Sequence, residues 1–178
     1  VITRAELARI VAANETGRFP QFTSAVIGGL YPVADGETGL LGALDRVRRE
    51  ASEAIALGAT VIVLSSRGAT AQEAPIPSLL LTGAVHHHLV RQAKRTQIGI
   101  VLESGEAREV HHHCLLVGYG ADAINPYTAL EALWQAQRDG LLPAEYSDEK
   151  IVHAYQKAVA KGMLKVMSKM GISTLHSY

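Results

Sequence analysis

Polar and charged side chains follow three apolar segments of this chain, and they are its best candidates for chemistry. The segments are 60–65, 97–103 and 121–124, and the candidates beyond them are Ser66, Arg67, Glu103, Glu106, Arg108 and Asn125. If the segments are parallel strands, their carboxyl ends meet at one edge of a sheet, where α/β proteins place catalytic groups. Carboxylates beside a guanidinium could transfer protons there, or they could form an ion-pair network that fixes loops. We favour the network, because the sequence places no nucleophile or cofactor motif nearby.

Two histidine triplets, 86–88 and 111–113, raise the question of a metal site. Consecutive helical residues point about 100° apart, so no triplet can place its three rings on one ion. Glu109 and His113 are spaced i, i+4, but the His-Glu-x-x-His pattern is absent. We therefore predict no metal ligand. The favoured interpretation is that one histidine of each triplet meets the core, while the others cap carbonyl groups or lie in water.

The composition argues against several functional classes. Seventeen Lys and Arg balance seventeen Asp and Glu, so neither nucleic acid nor an anionic membrane is the expected partner. No apolar run reaches the roughly 20 residues that span a bilayer, and the N-terminus lacks a secretory pattern, which predicts a cytoplasmic protein. The single cysteine, Cys114, excludes a disulfide framework within the chain and is expected to be a buried structural thiol. The Gly-rich phosphate-binding motifs and the Gly-x-Ser-x-Gly nucleophile motif are absent as well.

Apolar patterns predict strands and helices in alternation along most of the chain. Continuous β-branched runs at 60–65 and 97–103 are typical of strands that are buried on both faces. Gly58 and Gly171 are expected to stop helices at the C′ position. The predicted strands are 22–27, 60–65, 97–103 and 121–124. The predicted helices are 3–13, 40–57, 79–94, 106–117, 128–137 and 147–170.

This order predicts an α/β fold in which parallel strands alternate with helices, followed by a helical C-terminal segment. Both an incomplete (β/α) barrel and an open sheet satisfy it. Pro75 and Pro77 predict a loop before the helix at 79–94, and Ser78 is its expected N-cap. We predict a single domain fragment made of an N-terminal helical lead, a βα core and a helical segment, at 1–20, 21–127 and 128–178.

The last predicted helix carries Lys161, Lys165 and Lys169 at i, i+4, i+8, which places them along one side. The favoured interpretation is a solvated stripe near the negative end of the helix dipole. The alternative is that the stripe binds an anion or an acidic neighbour, in which case Lys165 and Lys169 belong to a domain interface.

Six longer segments carry a resemblance to a known family. They are Leu-Ser-Ser-Arg-Gly at 64–68 and the segments at 74–80, 83–90, 103–112, 118–127 and 162–175. In this order they resemble the large chain of glutamate synthase, from about Phe22 to Tyr178. The resemblance implies the later part of that family's central domain, reaching the edge of the FMN-binding domain. Three departures affect local contacts: Ser66 replaces the usual Asp, His113 a common aromatic residue, and His176 a common Gln.

The resemblance also implies what the complete enzyme does. The family makes L-glutamate from glutamine and 2-oxoglutarate, with electrons from ferredoxin or a pyridine nucleotide passing through FMN and a 3Fe-4S cluster. Its central domain lies between a glutaminase domain and an FMN-binding domain, which are therefore the expected partners. An incomplete barrel would also expose apolar surface, so self-association of the isolated chain is a further expectation.

The chain itself is expected to hold no cofactor and no catalytic residue. The family's glutaminase nucleophile is an N-terminal cysteine and its cluster needs three cysteines, whereas this chain begins with Val1 and has only Cys114. The FMN-binding positions of the family would follow Tyr178. We therefore expect a structural and coupling domain, inactive alone and cut from, or encoded apart from, a longer protein. The alternative is an independent small barrel-like enzyme whose site is formed by Arg67, Glu103, Glu106 and Asn125.

Overall fold

The computed structural model describes residues 1–15 and 17–178, and it contains helices and strands in alternation. The helices are α1 Arg4–Val11, α2 Gly36–Ala56, α3 Ser78–Arg91, α4 Val110–Gly118, α5 Tyr127–Arg138 and α6 Asp148–Met170. The strands are β1 Ser24–Gly28, β2 Leu30–Pro32, β3 Val61–Ser65, β4 Glu73–Pro75, β5 Gly99–Glu103 and β6 Ala123–Asn125. Three short 3₁₀ turns lie at Val33–Asp35, Arg95–Gln97 and Leu175–Ser177.

Four of the strands form a parallel sheet in the order β1-β3-β5-β6, and β2 pairs antiparallel with β4 in a separate two-stranded sheet. Helices α2, α3 and α4, which connect strands of the larger sheet, all pack into one core on the same face. The predicted α/β fold, in which parallel strands alternate with helices, is therefore confirmed. Among the described residues the sheet stays open.

Strand β3 shows why this core forms. Its side chains alternate between the two faces, so Ile62 and Leu64 pack under the helices while Val63 points the other way. All three are buried, which confirms the prediction of a central strand covered on both faces. Helix α2 ends before Gly58, whose φ of +91° is one that L-residues rarely adopt.

The second face of the sheet is covered by the N-terminal residues. Thr3 caps α1 by accepting a hydrogen bond from the Glu6 N–H, and the Glu6 carboxylate accepts one from the Thr3 N–H. Leu7 of this short helix and Ile2 before it pack on Val63 and on its neighbours in the sheet. The Ile2 N–H also donates to the Ile124 carbonyl at 2.9 Å, so the first residues run beside β6.

The C-terminal segment is helical, as predicted. Ser147 caps α6 by accepting from the Lys150 N–H, and Gly171 ends the helix with a φ of +71°. Helix α6 packs against α4 and α5. Gly162 allows the close approach, because a Cβ there would overlap the side chain of Val110. No helix among the described residues is both long and apolar enough to cross a membrane.

Three local predictions were wrong, because contacts that the sequence pattern does not reveal decided the geometry. Pro75 lies in β4, opposite Leu30 of β2, and not in a loop. Ser78 is the first residue of α3 and its hydroxyl does not cap the helix. Helix α4 begins at Val110, later than the predicted 106, because the Ser104 hydroxyl accepts hydrogen bonds from the N–H groups of the two residues after Gly105.

Candidate functional site

The candidate site lies at the carboxyl edge of the parallel sheet. The strand register aligns Gly28, Ser65, Glu103 and Asn125 in one row across the four strands. Because side chains alternate along a strand, this row points away from the helix-covered face, toward the side that α1 covers. The predicted convergence of strand ends is therefore present.

The Arg67–Glu103 ion pair is the centre of the site. Arg67 Nε donates to Glu103 Oε1 at 2.6 Å, and Arg67 Nη2 donates to Glu131 Oε1 at 3.3 Å. The guanidinium carbon lies 4.1 Å from the ring centre of Tyr127, within range of a cation–π contact. The second carboxylate oxygen of Glu103 accepts from the Ser65 hydroxyl at 2.5 Å. Burial by itself would lower the pKa of Arg67, but the hydrogen bond and charge of Glu103, with Glu131, outweigh it and raise that pKa.

Ser66 ties three loops together beneath this pair. Its N–H and hydroxyl donate to the Glu103 carbonyl at 2.9 Å and 3.2 Å, and its hydroxyl accepts from the Gly105 N–H at 3.1 Å. The Tyr127 hydroxyl lies 3.1 Å from the same oxygen and 3.3 Å from the Ser66 carbonyl. The segments after β3 and β5 and the start of α5 are thus held in one network.

Glu106 belongs to a neighbouring hydrogen-bond network, which caps the N-terminus of α3. Its carboxylate accepts from the Ser78 N–H at 2.5 Å, which places a negative charge at the N-terminus of α3. The Ser78 and Ser104 hydroxyls lie 2.7 Å apart beside it. Glu106 therefore caps the helix in place of Ser78, from 28 residues along the chain.

Asn125 and Arg108 do not join the Arg67–Glu103 pair. Asn125 is buried, and its Nδ2 donates to the Ile2 carbonyl at 3.0 Å, while its Oδ1 has no hydrogen-bond partner in the described part of the chain. The Arg108 side chain is exposed, and only its backbone is engaged: its N–H donates to His112 Nδ1 at 3.1 Å, and its carbonyl accepts from the Tyr155 hydroxyl at 2.7 Å. The structure thus brings Ser66, Arg67 and Glu103 together and leaves the other candidates around them.

Sequence reasoning missed Tyr127 and Glu131 as members of the network. Their spacing of i, i+4 at the start of α5 places them on one side of that helix. Tyr127 follows β6 by two residues, so the strand-end rule could have included it. Glu131 offered no such signal, because its position depends on the direction in which α5 leaves the sheet.

The histidine triplets are only partly as predicted. His113 is buried in the core, as expected for one member, but in the first triplet His86 and His88 are half-buried and hydrogen-bond to Arg95 and Ser52. His112 accepts from backbone N–H groups at the start of α4, whereas the histidines outside the core were expected to cap carbonyl groups or to lie in water. In the described residues no three His, Cys, Asp or Glu side chains come close enough to hold a metal ion.

The structure also gives His113 a defined tautomer. The Tyr155 hydroxyl donates to the Arg108 carbonyl, so His113 Nε2, 3.0 Å away, must donate to that hydroxyl. Its Nδ1 is then an unprotonated, buried nitrogen. Burial, helped by the positive N-terminus and by His112, lowers the pKa of His113 to about 4. Burial likewise raises the pKa of Tyr155 to about 12.

Two grooves stand out among the described residues, and neither includes the Arg67–Glu103 pair. The larger, about 810 Å³, lies at the opposite edge of the sheet, beside the residues that precede β5 and β6. Its guanidinium, that of Arg95, already donates to the carbonyls of Ile98 and Gly120, to Asp122 and to the His86 ring. The smaller groove runs along the start of α2.

The residues present do not fit the cofactors that the resemblance implies for a complete enzyme. A 3Fe-4S cluster needs several thiolates, and Cys114 is single and buried in α4. A flavin phosphate needs unengaged donors, whereas four of the five N–H groups of Arg95 in the larger groove already donate to groups of the chain. The three predicted stripe residues Lys161, Lys165 and Lys169 are exposed on α6 and form no ion pair with the described residues.

Comparison with known proteins gives one consistent answer. The family model described as the glutamate synthase central domain matches residues 1–178. Over 171 residues the chain is 40% identical to "Glutamate synthase [NADH]" of Saccharomyces cerevisiae, covering 93% of this chain and 8% of that protein. It is 48% identical over 129 residues to "Glutamate synthase [NADPH] large chain" of Bacillus subtilis, covering 72% of this chain and 8% of that one.

A relative that is named for another electron donor is similar as well. "Ferredoxin-dependent glutamate synthase 2" of Synechocystis is 37% identical over 170 residues, covering 89% of this chain and 11% of that protein. The chain therefore spans about a tenth of the length of the curated relatives that it matches.

Proposed function

The chain belongs to the glutamate synthase central domain family, and from this we propose that it is a structural and coupling element of a glutamate synthase, without a reaction centre of its own. One observation carries the proposal. At the sheet edge where a barrel enzyme would place its catalytic groups, both carboxylate oxygens of Glu103 are engaged by Arg67 and Ser65. A carboxylate whose two oxygens are each held by a charge-assisted or short hydrogen bond is fixed in position, which suits a structural tie better than a group that exchanges protons with a substrate.

The same network explains what a structural role would consist of. Ser66 and Tyr127 join the segments that follow β3, β5 and β6 to one another. Arg67, bonded to Glu103 and Glu131, adds a tie between β5 and α5. A rigid edge of this kind is suited to holding neighbouring domains at a fixed distance.

The proposal extends to the organisation of the domain and its neighbours. Residues 1–20 form the lead, 21–127 the βα core and 128–178 the segment directed toward an FMN-binding domain. We propose that Lys165 and Lys169 belong to that domain interface, because they are exposed on α6 and form no ion pair with the described residues. A glutaminase domain is the other neighbour.

The complete enzyme is proposed to be cytoplasmic and to make L-glutamate from glutamine and 2-oxoglutarate. FMN and a 3Fe-4S cluster, bound by segments other than these 178 residues, would transfer its electrons. We also propose that the enzyme forms a homo-oligomer. Relatives are named for NADH, NADPH and ferredoxin, so membership of the family leaves the electron donor open. The thiol of Cys114, single and buried, is consistent with a reducing compartment.

Activity assays of purified residues 1–178 test the proposal directly. We expect no release of glutamate from glutamine, and no glutamate formation from 2-oxoglutarate and ammonia with added FMN and a reductant. A cooperative thermal transition in the same sample shows that the assayed chain is folded. Turnover in either assay would overturn the proposal.

Substitution of Glu103 in the longer glutamate synthase polypeptide separates a structural role from a catalytic one. Glu103→Gln removes the charge that pairs with Arg67, so we expect a loss of about 1–3 kcal/mol in unfolding free energy. Well below the melting temperature, kcat and KM for glutamine and 2-oxoglutarate should stay within about twofold, since only a transition-state contact lowers kcat and kcat/KM together. The matched control is Glu145→Gln, an exposed glutamate without an ion pair to the described residues, which should change neither stability nor rate. A large loss of kcat in folded Glu103→Gln enzyme would count against the structural role.

A further inference from the structure

Strand β1 forms one outer edge of the parallel sheet, and this edge is open. β1 pairs only with β3, through residues 23, 25, 27 and 29, whose backbone groups point toward that strand. The backbone groups of Ser24, Val26 and Gly28 therefore point outward. Among the described residues, only the Gly28 carbonyl of this row has a partner, the guanidinium of Arg46 at 3.0 Å.

The side chains beside this edge are also incompletely covered. Val26, Val63 and Val101 occupy one row of the register, on the face away from the three helices. Val63 and Val101 are 1% and 5% exposed, whereas Val26 is 56% exposed. Because Val26 is the outer end of an otherwise buried row and lies in solvent, we take the row to continue beyond β1.

The opposite edge of the sheet is joined to another segment of the chain, which makes the open edge more informative. Beside β6, the Ile2 N–H donates to the Ile124 carbonyl, and the Asn125 side-chain amide donates to the Ile2 carbonyl. The β6 edge thus has one backbone and one side-chain hydrogen bond to a neighbouring segment, whereas the outward backbone groups of Ser24 and Val26 have none among the described residues. Exposed edge strands are normally blunted or covered, because unpaired N–H and C=O groups recruit another strand.

We infer that β1 is the docking edge for an extended segment of the glutamate synthase polypeptide outside these 178 residues, which adds to the sheet as a fifth strand parallel to β1. The inference rests on the proposed function, namely that the chain works as part of a longer polypeptide. A strand, and not a helix, fits because the unpaired groups are a row of alternating backbone donors and acceptors. The segment would place an apolar, β-branched side chain in the row of Val26 and would carry no proline at its bonded positions.

The source of the strand follows from the length of the relatives. The chain covers only 8–11% of them, so a segment of the same polypeptide is held close to β1 at a high effective concentration. A second copy of this chain would have to compete with that tethered segment. The Arg46 guanidinium bound to Gly28 limits the pairing to Ser24, Val26 and the Gly28 N–H.

Hydrogen exchange of the complete glutamate synthase polypeptide, compared with that of residues 1–178, tests the pairing. The amide protons of Val26 and Gly28 should exchange about 100-fold more slowly in the longer polypeptide, because only there are they hydrogen-bonded. The Ala25 and Ile27 amides, bonded to β3 in both samples, are internal references. Equal exchange of Val26 and Gly28 in the two samples would overturn the inference.

A pair of substitutions in the complete polypeptide gives an independent measurement. Val26→Lys places a charge in the row that the added strand buries, so it should lower the melting temperature and raise Gly28 exchange at least about tenfold. Val33→Lys is the matched control, since Val33 is 48% exposed in a 3₁₀ turn outside the sheet. If both variants behave like the parent, or if residues 1–178 dimerise through Val26 while the complete polypeptide leaves it unprotected, the inference is wrong. Activity of the isolated chain would refute the proposed function and leave this exchange result standing, so the two failures are distinguishable.

Discussion

The two faces of the parallel sheet are covered by very different amounts of chain. On one face, Leu64 and Leu102 lie under three helices and have no exposed surface. On the other, Val63 lies under Leu7 of a helix of two turns, and Val26 at the edge is open to solvent. The comparison teaches that this chain buries one face of its sheet completely under three helices and leaves the outer end of the other face exposed.

The same difference is visible in where charge is placed. The polar row of Ser65, Glu103 and Asn125 lies on the thinly covered face, beyond the valines. In a closed barrel this side of the sheet would be the interior, and its carboxyl end would be the mouth. Here Arg67 and the N-terminal residues occupy it, so Ser65, Glu103 and the Asn125 Nδ2 are paired within the chain, and Asn125 Oδ1 alone of the row has no partner among the described residues.

Truncating one leucine on each face measures the contrast, and it is the largest effect that we expect. Leu64→Ala should cost about 4 kcal/mol, because three helices and two neighbouring strands surround the side chain and cannot collapse into the cavity. Leu7→Ala removes the same atoms from the thin face, but α1 can settle onto the sheet, so we expect about 2 kcal/mol. Urea unfolding of both variants gives the two values. Equal losses would mean that the N-terminal helix is held as firmly as the main core.

Much of the fold could be predicted because its determinants are local. The buried runs that became β3 and β5 and the stop at Gly58 lie within a few residues of the structure that they specify. The meeting of Ser66, Arg67 and Glu103 followed from one rule, that parallel strands end at a common edge. Nothing local, by contrast, indicated that Glu106 would cap a helix that begins at Ser78.

The contacts on the face of the sheet that α1 covers could not be predicted from the sequence. No periodicity links Ile2 and Leu7 to Val63 and Val101, because packing between distant segments leaves no spacing signal. The short β2–β4 pair was missed for the same reason, since a three-residue strand is recognised by its partner more than by its own sequence. Contacts of this kind become visible only in the three-dimensional structure.

Helix α6 packs outside α4, on the helix-covered side of the sheet, and His113 of α4 makes this contact sensitive to pH. The expected change in stability is smaller than that for Leu64→Ala. Burial, with the positive N-terminus and His112, lowers the pKa of His113 to about 4 in the folded chain, against about 6.5 when it is unfolded. The unfolded chain therefore binds a proton that the folded chain excludes between these values, so stability is full above about pH 6.5 and falls as the pH drops toward 4. For this one group the loss between pH 7 and pH 5 is about 1.5–2 kcal/mol.

Urea titrations at pH 7 and pH 5 check the His113 prediction against two variants. His113→Gln cannot take up the proton, so its stability should change with pH by about 1.5–2 kcal/mol less than that of the parent. His111→Gln alters the exposed first member of the same triplet and should keep the full dependence. Because His113 reaches Tyr155 of α6 through a hydrogen bond, its protonation should loosen α6 from α4 before the sheet opens. Exchange at pH 5 that rises in α6 first would place the weak point in this outer layer, whereas a uniform rise would mean that α4, α6 and the sheet unfold together.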